Sequence, residues 1–385
     1  HEYGGGAWLV DDAGTFFVNF ADQQIYRLSE GNPHQLTNTP ERRFADMAVD
    51  SARSRLLAVA ETHPQDGGEP TNSIVAVSLA DGTVETLVEG HDFFASPRPD
   101  PTGKRLVWIS WDHPNMPWDG TELNLGTFAD DGSIASETVI AGGPTTSVQQ
   151  PAFSPGGRLC FVSDVSGWWN LYEWTDAGAR ALHPLEAEFG GPQWGLGLST
   201  WCYRSEDEIV CTVNTANTDR LALLNLDSGQ LNELDIDANS IGSVSADAAQ
   251  LVYTGAGALS FPTLCVRQWA DGATRKVRAA AGLTFAPGML SAPEAISFAS
   301  GGGEAAHGFY YAPTNAEFEG PANDLPPLLV TTHGGPTAAA YGSLSLNVQF
   351  WTSRGIAVLD VNYRGSTGYG RAYRDSLKLN WGIKD

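Results

Sequence analysis

The sequence predicts a mainly β protein in which a β-propeller is followed by the start of an α/β domain. Three observations lead to this prediction. A short motif recurs at intervals of 40 to 53 residues over roughly the first 280 residues. After about residue 290 the pattern changes to strand, helix and strand. The 43 glycines and 22 prolines are dispersed through the 385 residues, which favours a turn-rich β fold over collagen-like or low-complexity sequence.

The recurring motif is a turn of small residues, a basic or polar residue, and then a short apolar strand. Its strands can be aligned on six anchor residues: Phe16, Leu56, Leu106, Leu159, Ile209 and Leu251. Four short strands with their turns need about 40–50 residues, which is the size of one propeller blade. One blade cannot bury both of its faces alone, so blades stack face to face in a ring. We expect a seven-bladed propeller whose seventh blade is completed upstream of His1. An array of β-sandwiches is the alternative.

The α/β domain is predicted from four successive patterns. Residues 294–298 and 307–311 read as a hairpin, and Leu328–Thr332 is a continuous apolar run typical of a parallel strand covered on both faces. Residues 344–354 have helical spacing with Gly355 as C-cap, and residues 356–361 form the next strand. This order indicates the α/β class. We therefore place the propeller at residues 1–285 and the truncated start of an α/β-hydrolase domain at residues 286–385.

Candidate catalytic residues follow the first apolar strand, in His333-Gly334-Gly335-Pro336. In α/β hydrolases, glycines at this place let the backbone approach the substrate, and an N–H group faces the oxygen that becomes negative during acyl transfer. Gly334 and Gly335 could therefore belong to an oxyanion loop, although any tight turn could use such residues. The Gly-rich loop at 362–370 lies where open α/β sheets place their sites.

The nucleophile is missing from this sequence. No serine has glycine at both −2 and +2, so the strained turn that presents a hydrolase serine is absent. In the hydrolase chain order, the serine, the acid and the histidine all follow the oxyanion loop. We expect them beyond Asp385, in a longer parent protein that these 385 residues represent as a fragment, and we expect this chain alone to be inactive.

Charge and cysteine content exclude several other functions. With 45 acidic against 22 basic residues the formal charge is −23, which argues against nucleic acid as a partner. This charge reflects either solubility or an acidic mouth for cationic substrates. The four cysteines form no C-x-x-C pair, so we expect neither metal nor cofactor, and free thiols in the cytoplasm. A Cys202–Cys211 disulfide across a hairpin is the alternative. No apolar run reaches about 18 residues, so no membrane span is predicted.

Several stretches resemble the prolyl oligopeptidase family of serine peptidases, in its acylaminoacyl-peptidase or dipeptidyl-aminopeptidase-like bacterial branch. They lie at residues 1–8, 111–123, 189–194, 333–336, 362–370 and 381–382. The resemblance implies a propeller that caps an α/β-hydrolase domain, with a Ser-Asp-His triad in a cavity between them. It also implies peptide substrates, including N-terminally blocked ones. Gly335 would supply an oxyanion N–H. The full-length protein could form a homo-oligomer.

Two other functions remain open at this point. One is a propeller that binds a peptide or partner and carries a degenerate hydrolase remnant; the other is an esterase-type α/β hydrolase. Some relatives have tyrosine where this chain has His333, so we assign His333 no donor role. Four propeller-loop residues could face a substrate but could equally serve blade packing, and we leave them outside the site: Trp118, Asp119, Glu122 and Trp194.

Overall fold

Over most of the chain, consecutive strands pair with their sequence neighbours in antiparallel four-stranded sheets. The computed structural model describes residues 3–385, so His1 and Glu2, which begin the first family-like stretch, lie outside the described residues. Within this range there are six such sheets and a seventh that is mixed. The predicted mainly β fold with propeller sheets is therefore confirmed. A further blade completed upstream of His1 stays a prediction.

The first of two compact units comprises the residues up to Ser166, with Leu171–Leu182 and Gln193–Leu198. Its first sheet contains β1 (Trp8–Asp11), β2 (Gly14–Val18), β3 (Ile25–Ser29) and β4 (Asn32–Gln35). The second contains β5 (Arg42–Asp50), β6 (Arg55–Thr62), β7 (Thr71–Ser78) and β8 (Val84–Val88), with a 3-10 turn at Ser51–Arg53. The third contains β9 (Phe93–Pro99), β10 (Arg105–Trp111), β11 (Thr121–Phe128) and β12 (Ile134–Gly143). The fourth contains β13 (Val148–Phe153), β14 (Leu159–Ser163), β15 (Asn170–Thr175) and β16 (Gly178–Ala181).

Sheets of the first unit stack face to face, as propeller blades do. Leu56 and Leu57 are neighbours on β6, and their side chains leave opposite faces of the strand. Leu56 packs in one cluster with Phe16 of the first sheet, and Leu57 packs in another with Trp108 of the third. Because both faces are buried, the strand is apolar at each position from Leu56 to Ala60 rather than alternating.

The second unit comprises Gly167–Asn170, His183–Pro192 and Ser199–Asp385. It contains two antiparallel sheets and the mixed sheet. The fifth sheet is formed by β17 (Trp201–Tyr203), β18 (Glu208–Thr215), β19 (Thr218–Asn225) and β20 (Leu231–Glu233). The sixth is formed by β21 (Ser240–Ala246), β22 (Gln250–Gly257), β23 (Ser260–Gln268) and β24 (Thr274–Ala279). The mixed sheet has the order β25 (Pro293–Ala299), β26 (Ala305–Tyr311), β28 (Ala357–Asn362), β27 (Leu328–Thr332). A 3-10 turn at Gly301–Gly303 and helices α1 (Leu346–Thr352) and α2 (Gly370–Asp375) complete it.

The repeat read from the sequence corresponds to one strand of each antiparallel sheet. The six anchor residues lie in β2, β6, β10, β14, β18 and β22, the second strand of its sheet in every case. All six are at most 2% exposed. The spacing of 40 to 53 residues is thus the length of one four-stranded sheet with its turns, which confirms the blade interpretation.

The predicted strands and helix of the later segment are present, with two differences. The helix is shorter than predicted, and Gly355, at φ +83°, follows it with its N–H bonded to the Thr352 carbonyl. The apolar run Leu328–Thr332 is not covered on both faces in the described chain, because Leu328 is 53% and Val330 56% exposed. The reason is topological: among the described strands, β27 lies at the edge of its sheet, next to β28.

Three further expectations concern cysteines, metals and membranes. All four cysteines are free thiols, and burial raises the pKa of Cys202 to about 12. The alternative Cys202–Cys211 disulfide is therefore wrong in this structure. Over residues 3–385, no three His, Cys, Asp or Glu side chains are grouped as a metal site. In the same part of the chain, no helix is long and apolar enough to cross a bilayer.

Candidate active site

The two loops selected from the sequence meet at one edge of the mixed sheet. Because β27 and β28 are parallel, their carboxyl ends lie side by side, and the loops that follow them are neighbours. The His333 ring stacks on the Tyr363 ring with centroids 4.6 Å apart. The Tyr363 hydroxyl donates to the His333 carbonyl at 3.2 Å. The structure thus brings together the stretch 333–336 and the Gly-rich loop 362–370.

His333 is held by both of its ring nitrogens. Its Nδ1 lies 2.8 Å from the Gly334 carbonyl oxygen, and its Nε2 lies 2.7 Å from the Ser366 hydroxyl. A carbonyl oxygen can only accept, so Nδ1 carries the proton and Nε2 accepts from Ser366. With both nitrogens bonded, the His333 ring is held in place beside the loop and helps to orient it.

Gly335 and Gly334 differ in what their backbone requires. Gly335 has φ +134°, and a Cβ there would lie 3.0 Å from the Thr337 nitrogen. Gly334 has no such φ, and a Cβ there would meet nothing within 4 Å. Both are exposed. Throughout residues 3–385, the Gly335 N–H has no hydrogen-bond acceptor. Gly335 therefore presents an unpaired donor at the sheet edge, in a conformation that glycine alone adopts readily.

Asn362 fixes the backbone between the two loops. Its Oδ1 accepts from the Ala340 N–H at 2.7 Å, and its Nδ2 donates to the Ala340 carbonyl at 3.1 Å. Asn362 is fully buried, and its own carbonyl accepts from the Tyr373 hydroxyl at 2.8 Å. The end of β28 therefore supports the chain four residues after Pro336.

The later half of the Gly-rich loop docks on other loops of the second unit. Asn217 Nδ2 donates to the Thr367 carbonyl at 3.0 Å, and the Arg371 N–H donates to the Gly167 carbonyl at 2.7 Å. A Cβ at Gly368 would lie 2.3 Å from Asn217 Oδ1. The loop was predicted as part of a site; these contacts show that its later glycines permit close docking.

Glu188 is the residue of this contact that the sequence did not reveal. It is 3% exposed; its Oε2 accepts from the Trp169 N–H at 2.7 Å and its Oε1 from the Gly370 N–H at 3.1 Å. Glu188 immediately precedes the family-like stretch 189–194, which is the one signal that could have drawn attention to it. Nothing in its spacing indicates a partner in the α/β segment.

The four propeller-loop residues left outside the site make structural contacts in the first unit. Trp118 is buried, and its ring lies 4.4 Å from that of Trp194. Asp119 Oδ2 accepts from the Met116 N–H at 3.1 Å. Glu122 lies within β11, opposite Ser110 of β10. For the two tryptophans and Asp119, packing and loop hydrogen bonds account for their positions.

Burial shifts the pKa values of two residues near these loops. Burial raises the pKa of Asp360, while the Thr331 hydroxyl, 3.1 Å away, and His333 lower it in part. Burial lowers the pKa of His307, whose ring stacks on Tyr369 with centroids 4.2 Å apart. His307 Nδ1 lies 2.8 Å from the Ser297 hydroxyl. Each of these groups is more easily kept neutral than in water.

Residues 342–385, which include the Gly-rich loop, match the sequence profile of the prolyl oligopeptidase family. The whole chain superimposes on a puromycin-hydrolyzing peptidase of Mycobacterium tuberculosis, with a TM-score of 0.93 and 33% identity. By its sequence profile over residues 342–385 and by its fold over the whole length, the chain is similar to the prolyl oligopeptidase family. The superposition covers 100% of this chain and 62% of that structure, so the chain spans less than two thirds of the relative's length.

Three other proteins to which the chain is similar are named as a hydrolase, an aminopeptidase and an acylamino-acid-releasing enzyme. A crystal structure of puromycin hydrolase matches with a TM-score of 0.91 and 31% identity, over 99% of this chain and 61% of that one. Dipeptidyl aminopeptidase BIII of Pseudoxanthomonas mexicana is 41% identical over 71 residues, 18% of this chain and 10% of that protein. Acylamino-acid-releasing enzyme 1 of Oryza sativa subsp. japonica is 42% identical over 59 residues, 15% and 8% of the two chains. The family resemblance read from the sequence is confirmed.

Proposed function

We propose that this chain forms the propeller and the first part of the catalytic domain of a serine peptidase. The observation that carries the proposal is the unpaired Gly335 N–H at the carboxyl edge of β27 and β28, in a loop fixed by His333 and Asn362. A preorganised backbone donor of this kind stabilises the oxygen of a tetrahedral intermediate. In this proposal the boundary between the propeller and the catalytic segment lies at residues 285–286.

The proposed reaction is acyl transfer through a serine. The serine gives its proton to the histidine of the triad as its oxygen attacks the carbonyl carbon of the peptide bond, and the carbonyl oxygen becomes negative and accepts from the Gly335 N–H. The amine leaves with a proton from the histidine, and water then hydrolyses the acyl-serine ester. The absence of Gly-x-Ser-x-Gly from these residues, together with the family chain order, supports a nucleophile, acid and base located after Asp385.

Short peptides and aminoacyl amides are the proposed substrates. The puromycin-hydrolysing relatives, whose substrate is an aminoacyl amide, support this class. The free thiols support a reducing compartment such as the cytoplasm. An ester-hydrolysing enzyme would use the same oxyanion donor, so the assay must compare amides with esters.

The full-length protein tests this proposal with a pair of neighbouring glycine variants. Puromycin, blocked and unblocked aminoacyl-p-nitroanilides, and p-nitrophenyl esters are the substrate panel. We expect amide hydrolysis. Gly335→Ala keeps its N–H, but a Cβ at φ +134° should displace the loop and with it the N–H, so we expect kcat to fall by about 10²–10³ with little change in KM. Gly334→Ala should retain most activity, because a Cβ at Gly334 would meet nothing within 4 Å and the residue does not have a left-handed φ.

Two results would contradict the proposal. One is an unchanged kcat in Gly335→Ala with the fold retained. The other is turnover of esters alone, which would indicate an esterase-type hydrolase. Independently, a fluorophosphonate should label the full-length protein at a serine after Asp385 and leave the 385-residue chain unlabelled.

A further inference from the structure

The orientation of the peptide group between Gly334 and Gly335 decides where the proposed oxyanion donor points. This group carries the Gly334 carbonyl and the Gly335 N–H, and in a planar trans peptide group the two point in opposite directions. Because neither glycine has a Cβ, the group between them rotates with little steric resistance. Over residues 3–385, no acceptor holds the Gly335 N–H. Its direction is therefore set from the carbonyl end of the same group.

His333 holds that carbonyl. Its Nδ1–H donates to the Gly334 oxygen at 2.8 Å, and its ring lies nearly parallel to that of Tyr363, with 16° between the planes. Nδ1 donates only if it carries the ring proton, and in a neutral histidine Nε2 is then an acceptor. The hydrogen bond to the Gly334 carbonyl therefore depends on a donor that faces Nε2.

Ser366 supplies that donor. Its hydroxyl lies 2.7 Å from His333 Nε2, and the serine is 0% exposed. A buried hydroxyl proton needs an acceptor, and Nε2 is the acceptor that the structure gives it. The hydrogen bond made by the second nitrogen of a histidine sets which nitrogen is protonated. Ser366 thus favours the tautomer in which Nδ1 carries the proton.

The backbone on both sides of this serine is fixed. The N–H groups of Gly365, Ser366 and Thr367 each donate to a backbone carbonyl, at 3.1, 2.9 and 2.9 Å. The last of these bonds is to Ala338, which follows Pro336 by two residues. The hydroxyl therefore keeps its place relative to the oxyanion loop, as a supporting group must.

A serine and a histidine 2.7 Å apart also have the geometry of a nucleophile and its base. Burial argues against that role for Ser366, because a nucleophile must contact the carbonyl carbon that it attacks and this side chain exposes no surface. The pair between Ser366 and His333 can therefore affect the reaction only through orientation.

We propose that Ser366 is a positioning residue for the oxyanion donor and acts through His333. The hydroxyl fixes the protonated Nδ1, Nδ1–H holds the Gly334 carbonyl, and the planar peptide group directs the Gly335 N–H to the opposite side. Ser366 itself does not contact the substrate. The inference rests on the proposed peptidase function, since an oxyanion donor has a role only where an acyl group is transferred.

Steady-state kinetics of the full-length protein test this role, with the substrate of the panel that the unmodified protein hydrolyses fastest. We expect Ser366→Ala to lower kcat about tenfold and to change KM by less than about twofold, because one hydrogen bond is lost and the peptide group still samples the required orientation. Gly335→Ala should lose more. Ser376→Ala, which removes a hydroxyl bonded at 2.7 Å to the Tyr373 carbonyl, should leave kcat unchanged.

A double-mutant cycle shows whether the effect passes through His333. His333→Ala should lower kcat at least as much as Ser366→Ala, and adding Ser366→Ala to it should lower kcat by less than about a further twofold. Losses that multiply would show that Ser366 acts by another route and would overturn the inference. Unchanged kcat in a folded Ser366→Ala variant would overturn it as well.

The tautomer of His333 can be measured without any activity. In full-length protein with isotope-labelled histidine, long-range proton–nitrogen spectra distinguish a protonated ring nitrogen from a bare one, and His333→Ala assigns the signals. We expect the proton on Nδ1 in the unmodified protein, and faster exchange of that proton in Ser366→Ala. A proton on Nε2 in the unmodified protein would overturn the inference, and this result does not require Ser366→Ala to fold.

These measurements separate the inference from the proposed function. An unmodified protein that hydrolyses none of the panel contradicts the peptidase proposal, and the His333 tautomer then decides whether Ser366 fixes the peptide group. An active unmodified protein with unchanged kcat in Ser366→Ala contradicts this inference alone.

Discussion

Glu188 holds Gly370 through a buried hydrogen bond of 3.1 Å between its Oε1 and the glycine N–H. The same carboxylate accepts from the Trp169 N–H, and the Glu188 backbone exchanges two hydrogen bonds with Asn214. One acidic side chain therefore ties loops of the propeller sheets to the first residue of α2. A carboxylate, with acceptors only, suits a position where two N–H groups converge.

Replacing this carboxylate with an amide should weaken the contact. Glu188→Gln keeps one acceptor oxygen but places an NH₂ group against a backbone N–H, so we expect a loss of about 1–3 kcal/mol in the free energy of unfolding. Urea titration measures the loss, and hydrogen exchange at Gly370 should become faster. Glu186→Gln, two residues away and exposed, is the matched control. Equal stability of the two variants would contradict this role.

Gly368 should tolerate no side chain. It has φ +91°, and a Cβ would lie 2.3 Å from Asn217 Oδ1, so Gly368→Ala must displace either the loop or a fully buried asparagine. We expect the free energy of unfolding to fall by about 1–3 kcal/mol or more. Gly282→Ala, at an exposed glycine with open space and without the strained φ, should change stability little. Thermal unfolding of both variants makes the comparison, and similar melting temperatures would disprove the steric argument.

The repeating part of this fold could be predicted from the sequence, but only some residues of the candidate site could. The anchors Leu56 and Leu106 could be found because every blade repeats the same burial at nearly constant spacing. Gly335 could be singled out because its positive φ belongs to a local turn directly after a strand. Glu188 could not, because its partner Gly370 is 182 residues away and the pair exists only after folding. The exposure of Val330 was missed for a related reason, since an apolar run does not show which strand lies at an edge.

His307 should make stability depend on pH just below neutrality. Burial lowers its pKa from the ordinary 6.5. As the pH falls, His307 therefore takes up its proton at a higher pH in the unfolded chain than in the folded chain. Its stabilising contribution is complete above pH 6.5 and decreases as the pH falls below that value. In urea titrations at pH 7.5 and 5.5, the free-energy difference between the unmodified protein and His307→Gln should therefore shrink at the lower pH.

The histidine control separates this effect from general acid unfolding. His34→Gln, at an exposed position on β4, should give nearly the same difference at both pH values. A difference for His307→Gln that stays constant, or grows as the pH falls, would show that His307 is not the group that titrates.

Asp46 should be the strongest single polar contact between the second and third sheets. It is 2% exposed at φ +52°; its Oδ2 accepts from the Ser96 N–H at 2.7 Å and its Oδ1 from Arg98 at 2.6 Å. Asp46→Asn retains a residue that tolerates this φ but turns an NH₂ group toward one of the two donors. We expect a loss of about 1–3 kcal/mol in urea titration followed by tryptophan fluorescence. Asp130 is exposed in the same unit, so Asp130→Asn should lower the free energy of unfolding only slightly. If both variants unfold at the same urea concentration, the contact between the sheets rests on apolar packing alone.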